Sequence, residues 1–231
     1  MMWFDPMYFV VIAPGLLLSL WASIKVKRTF KKFSKVTIAR GLSGAEVAVE
    51  LLRRRNIRGV RVEPHEGWLS DHYDPRSRTV RLSPDVYHGR SVSAVGVAAH
   101  ECGHAIQHAE GYLPMSVRQN LVWPANLGST LSIFLIIIGG FVAAKGLIWL
   151  GILLFSAVVL FQLVTLPVEF NASTRARRHL VGEGIITAAE DDHVAKVLRA
   201  AALTYVAALI SSILQLTYFL IRFAGVGGSD D

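Results

Sequence analysis

The chain alternates between long apolar runs and charged stretches. Four runs hold no charged residue: 6–24, 119–144, 146–168 and 200–221. A helix needs about 20 apolar residues to cross the hydrocarbon core of a bilayer. All four runs reach that length, and the first is the shortest. Buried core helices are usually shorter and carry a polar stripe, so the pattern predicts four transmembrane helices.

The charged stretches have shorter periods. Ser43-Gly-Ala-Glu46 has the form of a capping box, with Val47, Leu51 and Leu52 supplying the apolar face of a short helix ending near Asn56. Capping, not ligation, is the expected role of Glu46. Residues 59–63 alternate as a strand, and 68–69 and 79–83 read as two more, with Asp74-Pro75 turning between them. A second helix is expected from Ser91 or Ser93 to about Glu110, stopped by Gly111. The domain division is then a first helix with its basic flank (1–32), a polar domain (33–118), a transmembrane hairpin (119–168), a polar segment (169–199), and a fourth helix with its tail (200–231).

Composition agrees, with 52% hydrophobic and 18% charged residues. The net charge of +7 does not imply nucleic acid, because the basic residues cluster beside the apolar runs. Lys25, Lys27, Arg28, Lys31, Lys32 and Lys35 follow the first run, and only Asp5 precedes it. Cytoplasmic loops are rich in Lys and Arg, so the N-terminus is expected outside and the polar domain inside. No cleaved signal peptide is expected, since the charges follow the apolar run. A hairpin turning near Lys145 and Gly146 returns 169–199 to the same side, with Arg175, Arg177, Arg178, Lys196 and Arg199. The fourth helix leaves Arg222 outside. The single cysteine, Cys102, permits no intramolecular disulfide and fits a reducing compartment.

Candidate chemistry lies in His100-Glu101-Cys102-Gly103-His104. On a helix, His100 and His104 stand about 40° apart and one turn along the axis, so both can reach one Zn²⁺. Glu101, next to them, is placed to act as general base on a water that the metal activates. The alternative is a helix that happens to carry two surface histidines, but Val92, Val95, Val97, Ala98 and Ala99 make the approach to His100 a packed helix. Cys102 points away and reads as a small core residue, and Gly103 leaves room for another segment. His108 is about 12 Å from His100 along the axis, too far to share its metal. A catalytic zinc needs a third protein ligand. Glu169 is the candidate, at a membrane boundary on the correct side, with the small Ala172, Ser173 and Ala176 near its face. Pro167 suits the first turn of a new helix, and Glu169 could equally be a first-turn carboxylate there.

Ser83-Pro-Asp-Val-Tyr-His-Gly-Arg90 leading into His100-Glu-Cys-Gly-His-Ala-Ile-Gln-His108, with Leu69-Ser-Asp-His-Tyr-Asp-Pro75 and the distant Pro167-Val-Glu-Phe-Asn-Ala-Ser173, resembles the YugP-type neutral zinc metallopeptidases of bacterial membranes. The resemblance covers nearly the whole chain, and it suggests kinship with the CAAX prenyl protease and its bacterial relatives. It implies a gluzincin-like site with zinc held by His100, His104 and Glu169. Those distant relatives carry an aspartate where this chain has Ser173, and YugP-type sequences often carry one at Asn171. Less acidic support of the zinc ligands is therefore expected, or a role for Asp71 or Asp74. His72, Tyr73 or Arg175 could stabilise an oxyanion, although each could also be an ordinary turn or surface residue. The strand 79–83 could receive a substrate strand.

The expected fold is a mainly α membrane protein, with four transmembrane helices and a small α+β zincin-like cytoplasmic domain. The expected function is a zinc endopeptidase of the inner (plasma) membrane, acting on peptides or membrane proteins from the cytoplasmic side. Two alternatives differ in class: a site-2-type intramembrane protease, and a non-catalytic scaffold that keeps zinc for stability. The absence of an Asp-Gly partner motif in a later run argues against the first, and Glu101 argues against the second. No feature addresses oligomeric state.

Overall fold

The computed structural model describes residues 6–224. Asp5 and the end of the C-terminal tail lie outside them. The elements run α1 (Pro6–Phe33), α2 (Gly44–Arg54), β1 (Arg61–Pro64), β2 (His72–Asp74), β3 (Thr79–Leu82), α3 (Pro84–Tyr87), α4 (Val92–Ala109), α5 (Leu113–Phe141), α6 (Lys145–Gly182) and α7 (Ala188–Ala224). The chain is mainly helical, and α1, α5, α6 and α7 are long and apolar enough to cross a membrane. It divides into two compact units, and each of these four helices contributes to both.

One unit comprises 6–22, 116–166 and 204–224 of the described residues. Ile136, Ile148, Ile152, Phe155, Tyr218, Phe219 and Phe223 form its core, while Leu16, Leu17, Leu20, Leu153 and Leu163 are exposed. Apolar side chains facing outward suit a lipid solvent. Small residues let the helices touch: a Cβ on Gly151 would lie 2.7 Å from the Ser132 carbonyl, and one on Gly128 would collide with the Leu154 carbonyl.

The other unit comprises 23–115 and 167–203. Helix α2 starts at a capping box in which Ser43 Oγ accepts from the Glu46 N–H (3.2 Å) and Glu46 Oε2 from the Ser43 N–H (2.7 Å). The α2 face of Val47, Ala48, Leu51 and Leu52 is buried. It joins Val95, Ala98, Ala99 and Cys102 of α4 in one core, where Cys102 Sγ meets the Ala48 carbonyl at 3.6 Å. Burial pushes that thiol up, leaving it an inert core group. Ser91 caps α4 by accepting from the Ala94 N–H, and Gly111, at φ 64°, follows its end.

The sheet has the order β1-β3-β2, with β1 parallel and β2 antiparallel to β3. Two expectations fail here. Trp68-Leu69 is not a strand: Leu69 sits at φ 54°, and the pairing falls to His72–Asp74, whose Tyr73 is buried opposite Val80. Nor can β3 receive a substrate strand, because both of its edges are occupied. A third concerns Pro167. It begins no new helix, because α6 runs unbroken from Lys145 to Gly182 with Pro167 inside it. Long membrane helices tolerate an internal proline when neighbours re-satisfy the freed backbone. Glu169 is therefore mid-helix and has no first-turn role.

Candidate metal centre

Helix α4 presents His100 and His104 on one face, one turn apart, with their rings 4.8 Å between centroids. The polar half of α6 lies against it through Gly103. A Cβ there would stand 2.6 Å from the Ala172 carbonyl oxygen and 3.1 Å from its Cα. That close backbone approach brings in Glu169, which is 2% exposed. Its Oε2 lies 3.2 Å from His100 Nε2 and 3.6 Å from His104 Nε2. One ligand atom from each of the three residues falls within 4.8 Å of the others.

The remaining ring nitrogens face neutral groups. His100 Nδ1 is 3.1 Å from Ser173 Oγ, and His104 Nδ1 is 3.0 Å from Gln107 Oε1. Gln107, fully buried, donates its amide N–H groups to the Val168 carbonyl (2.8 Å) and to Asn171 Oδ1 (2.9 Å). With both donors committed, its oxygen can only accept, so His104 carries its proton on Nδ1. The Nε2 lone pair is left facing Glu169. Asn171 also accepts from Arg175 Nε at 2.6 Å, and Arg175 pairs with Glu110 at 2.5 Å. Two imidazoles whose Nε2 atoms turn toward one buried carboxylate are a donor set that fits zinc.

Glu101 is buried beside this cluster. Burial pushes its carboxyl up to about 7; His100 and the Tyr73 backbone N–H act the other way, and Glu169 and Asp71 add to the rise. Neither aspartate considered as support turns to the histidines. Asp71 accepts from the Ser83 N–H (2.7 Å) and hydroxyl (3.0 Å), and burial raises its pKa. Asp74 accepts from the Arg76 N–H, Ser77 and Arg81. Of the oxyanion candidates, Tyr73 bonds His108 Nδ1 through its hydroxyl (2.8 Å) and His72 bonds the Ser70 carbonyl (2.8 Å). Arg175 is held by Asn171 and Glu110. Sequence reasoning missed the place of Gln107, although the signal was available: it stands three residues after His104 and so shares its helix face.

The family described as "Putative neutral zinc metallopeptidase" matches residues 8–224. The chain belongs to this family. The "Putative membrane protease YugP" of Bacillus subtilis (strain 168) is 49% identical over 223 residues, 96% of this chain and 98% of that protein. No solved structure matches the chain. Zinc is thus the metal that the family sets against the His100, His104 and Glu169 cluster.

Proposed function

We propose that the protein is a membrane-embedded zinc endopeptidase of gluzincin type. His100, His104 and Glu169 hold the metal and Glu101 acts as general base. The convergence of two ring nitrogens and one buried carboxylate within 4.8 Å carries this reading. Zinc, when bound, supplies the Lewis acidity that makes water nucleophilic near neutral pH and polarises a peptide carbonyl. Gln107 holds His104 in the tautomer that leaves Nε2 free, and the Ser173 hydroxyl, able to accept from His100 Nδ1–H, suits the same tautomer of His100. The Glu101 carboxylate takes the proton of the attacking water and returns it to the amine that leaves. Polypeptides, including segments of membrane proteins, are the substrates, and the site faces the cytoplasm from the inner (plasma) membrane, a reading that the basic flanks of the apolar helices support. The fold of 23–115 with 167–203 serves as the zincin-like domain. A site-2-type arrangement is disfavoured because α4 is not among the four helices able to cross a membrane in the described residues.

The test compares wild type with Glu101→Gln, both in detergent, for zinc content and for cleavage of unstructured peptides with and without chelator. Glu101→Gln is expected to keep one zinc and lose about 10²–10⁴-fold in turnover. Undiminished cleavage by the variant would remove Glu101 from the reaction. A folded wild type without zinc would overturn the ligand assignment.

A further inference from the structure

We infer that a cavity beside the cytoplasmic end of α1 binds the headgroup of an anionic phospholipid. The inference rests on α1 crossing the membrane and not on the peptidase reading. The cavity measures about 720 Å³ and lies wholly within the unit that contains 23–115. Lys27, Arg28 and Lys31 of α1 form one wall, and Trp68 and Arg90 stand on others. Among the described residues, the three α1 cations form no ion pair. Arg90 is already oriented by the Gly41 carbonyl and by Glu46 at 3.8 Å.

The location suits a lipid. Lys27 is three residues beyond Ile24, the end of the apolar run, and Lys31 seven. At about 1.5 Å per residue this places both about 5–10 Å past the hydrocarbon, at the depth of the phosphates. Trp68 is 51% exposed. Its ring packs edge-on against Phe30 (6.4 Å) and lies 5.7 Å from Lys27 Nζ. An exposed indole beside an ammonium is the pairing expected at a membrane interface, where the ring meets glycerol and upper acyl chain while the cation meets phosphate.

Orientation during insertion would account for a run of lysines on α1, but it requires no cavity. Here Arg90 and Trp68, far along the chain, converge with the α1 cations on one concave space. Asp85, the one acidic residue of the wall, can accept hydrogen bonds from a hydroxylated headgroup. Phosphatidylglycerol is therefore the probe.

The experiment uses the full chain in a neutral detergent, with short-chain phosphatidylglycerol or phosphatidylcholine titrated by native mass spectrometry and tryptophan emission. Phosphatidylglycerol should be retained and phosphatidylcholine not. Lys27→Gln with Lys31→Gln should weaken binding about tenfold or more. Lys32→Gln with Lys35→Gln removes equal charge from 32 and 35, outside the cavity, and should change binding less than about twofold. Trp68→Phe should abolish the emission change. The inference is overturned by equal loss in both double variants, which means diffuse surface charge. It is also overturned by equal binding of phosphatidylcholine, by equally tight binding of inorganic phosphate, or by an emission change that survives Trp68→Phe.

Discussion

Helix α6 has two halves that live in different surroundings. Up to Leu166 it belongs to the apolar unit, where Leu150, Leu153, Leu160 and Leu163 face outward and glycines serve only to let helices touch. From Pro167 it belongs to the polar unit, where Val168, Glu169, Ala172 and Ala176 are buried. Both halves use the same device, a small residue that lets backbones meet, but the outcome differs. In the first half the close approach yields packing alone. In the second it brings a carboxylate to two imidazoles.

The sharpest break of this contrast is Glu169→Ala against Leu163→Ala. Loss of the proposed ligand should weaken zinc by more than about 100-fold, since outer contacts alone cost about 10–100-fold. Leu163→Ala, at an exposed position of the same helix, should leave zinc content unchanged by metal analysis.

Next in size is Gly103→Ala. Its new Cβ meets backbone, which cannot rotate away, so α4 and α6 must separate. A loss of about 1–3 kcal/mol is expected, with weaker zinc binding. Gly182→Ala, with open space around it, should be neutral or stabilising by up to about 1 kcal/mol. Thermal unfolding and zinc titration of the pair separate close approach from helix propensity.

Within the site, Gln107→Leu should cost about 10–100-fold in zinc affinity, because it frees the His104 ring and removes the donor to the buried Val168 carbonyl. Ser173→Ala should fall at the low end of that range. Ser173→Asp, which sets an acidic group against His100 Nδ1, should strengthen zinc binding. A weaker zinc site in Ser173→Asp would show that the neutral hydroxyl is required.

The smallest effect lies away from the metal. The Ser77 hydroxyl, with the Arg76 N–H and Arg81, holds the Asp74 carboxyl down at about 2 from 3.8. A depressed carboxyl stabilises the fold above its unfolded value, and that stability is lost as pH falls from about 4 toward 2. Asp74 is a quarter exposed, so the contribution should be at most about 1 kcal/mol. Asp74→Asn should lower the unfolding temperature at pH 7 and flatten its fall below pH 4.

Much of this protein was legible along the chain because the signals are local. Uninterrupted apolar length identified the helices long enough to cross a membrane. A serine and a glutamate three apart predicted the capped start of α2, and two histidines four apart implied a shared helix face. The tertiary structure decided everything that depends on a distant partner. The second strand is His72–Asp74 and not Trp68-Leu69, because a three-residue strand is defined by the β3 residues it pairs with. The middle position of β3 could not be read from its own sequence, since strand order is a property of the sheet. Pro167 carries the local signal of a helix start, yet α6 continues through it, because packing and membrane length outweigh one missing hydrogen bond. The approach of Glu169 to His100 and His104, and the tautomer enforced by Gln107, depend on α6 resting against Gly103. Such a contact is the product of many weak packing terms spread over two helices, and no short window of sequence contains it.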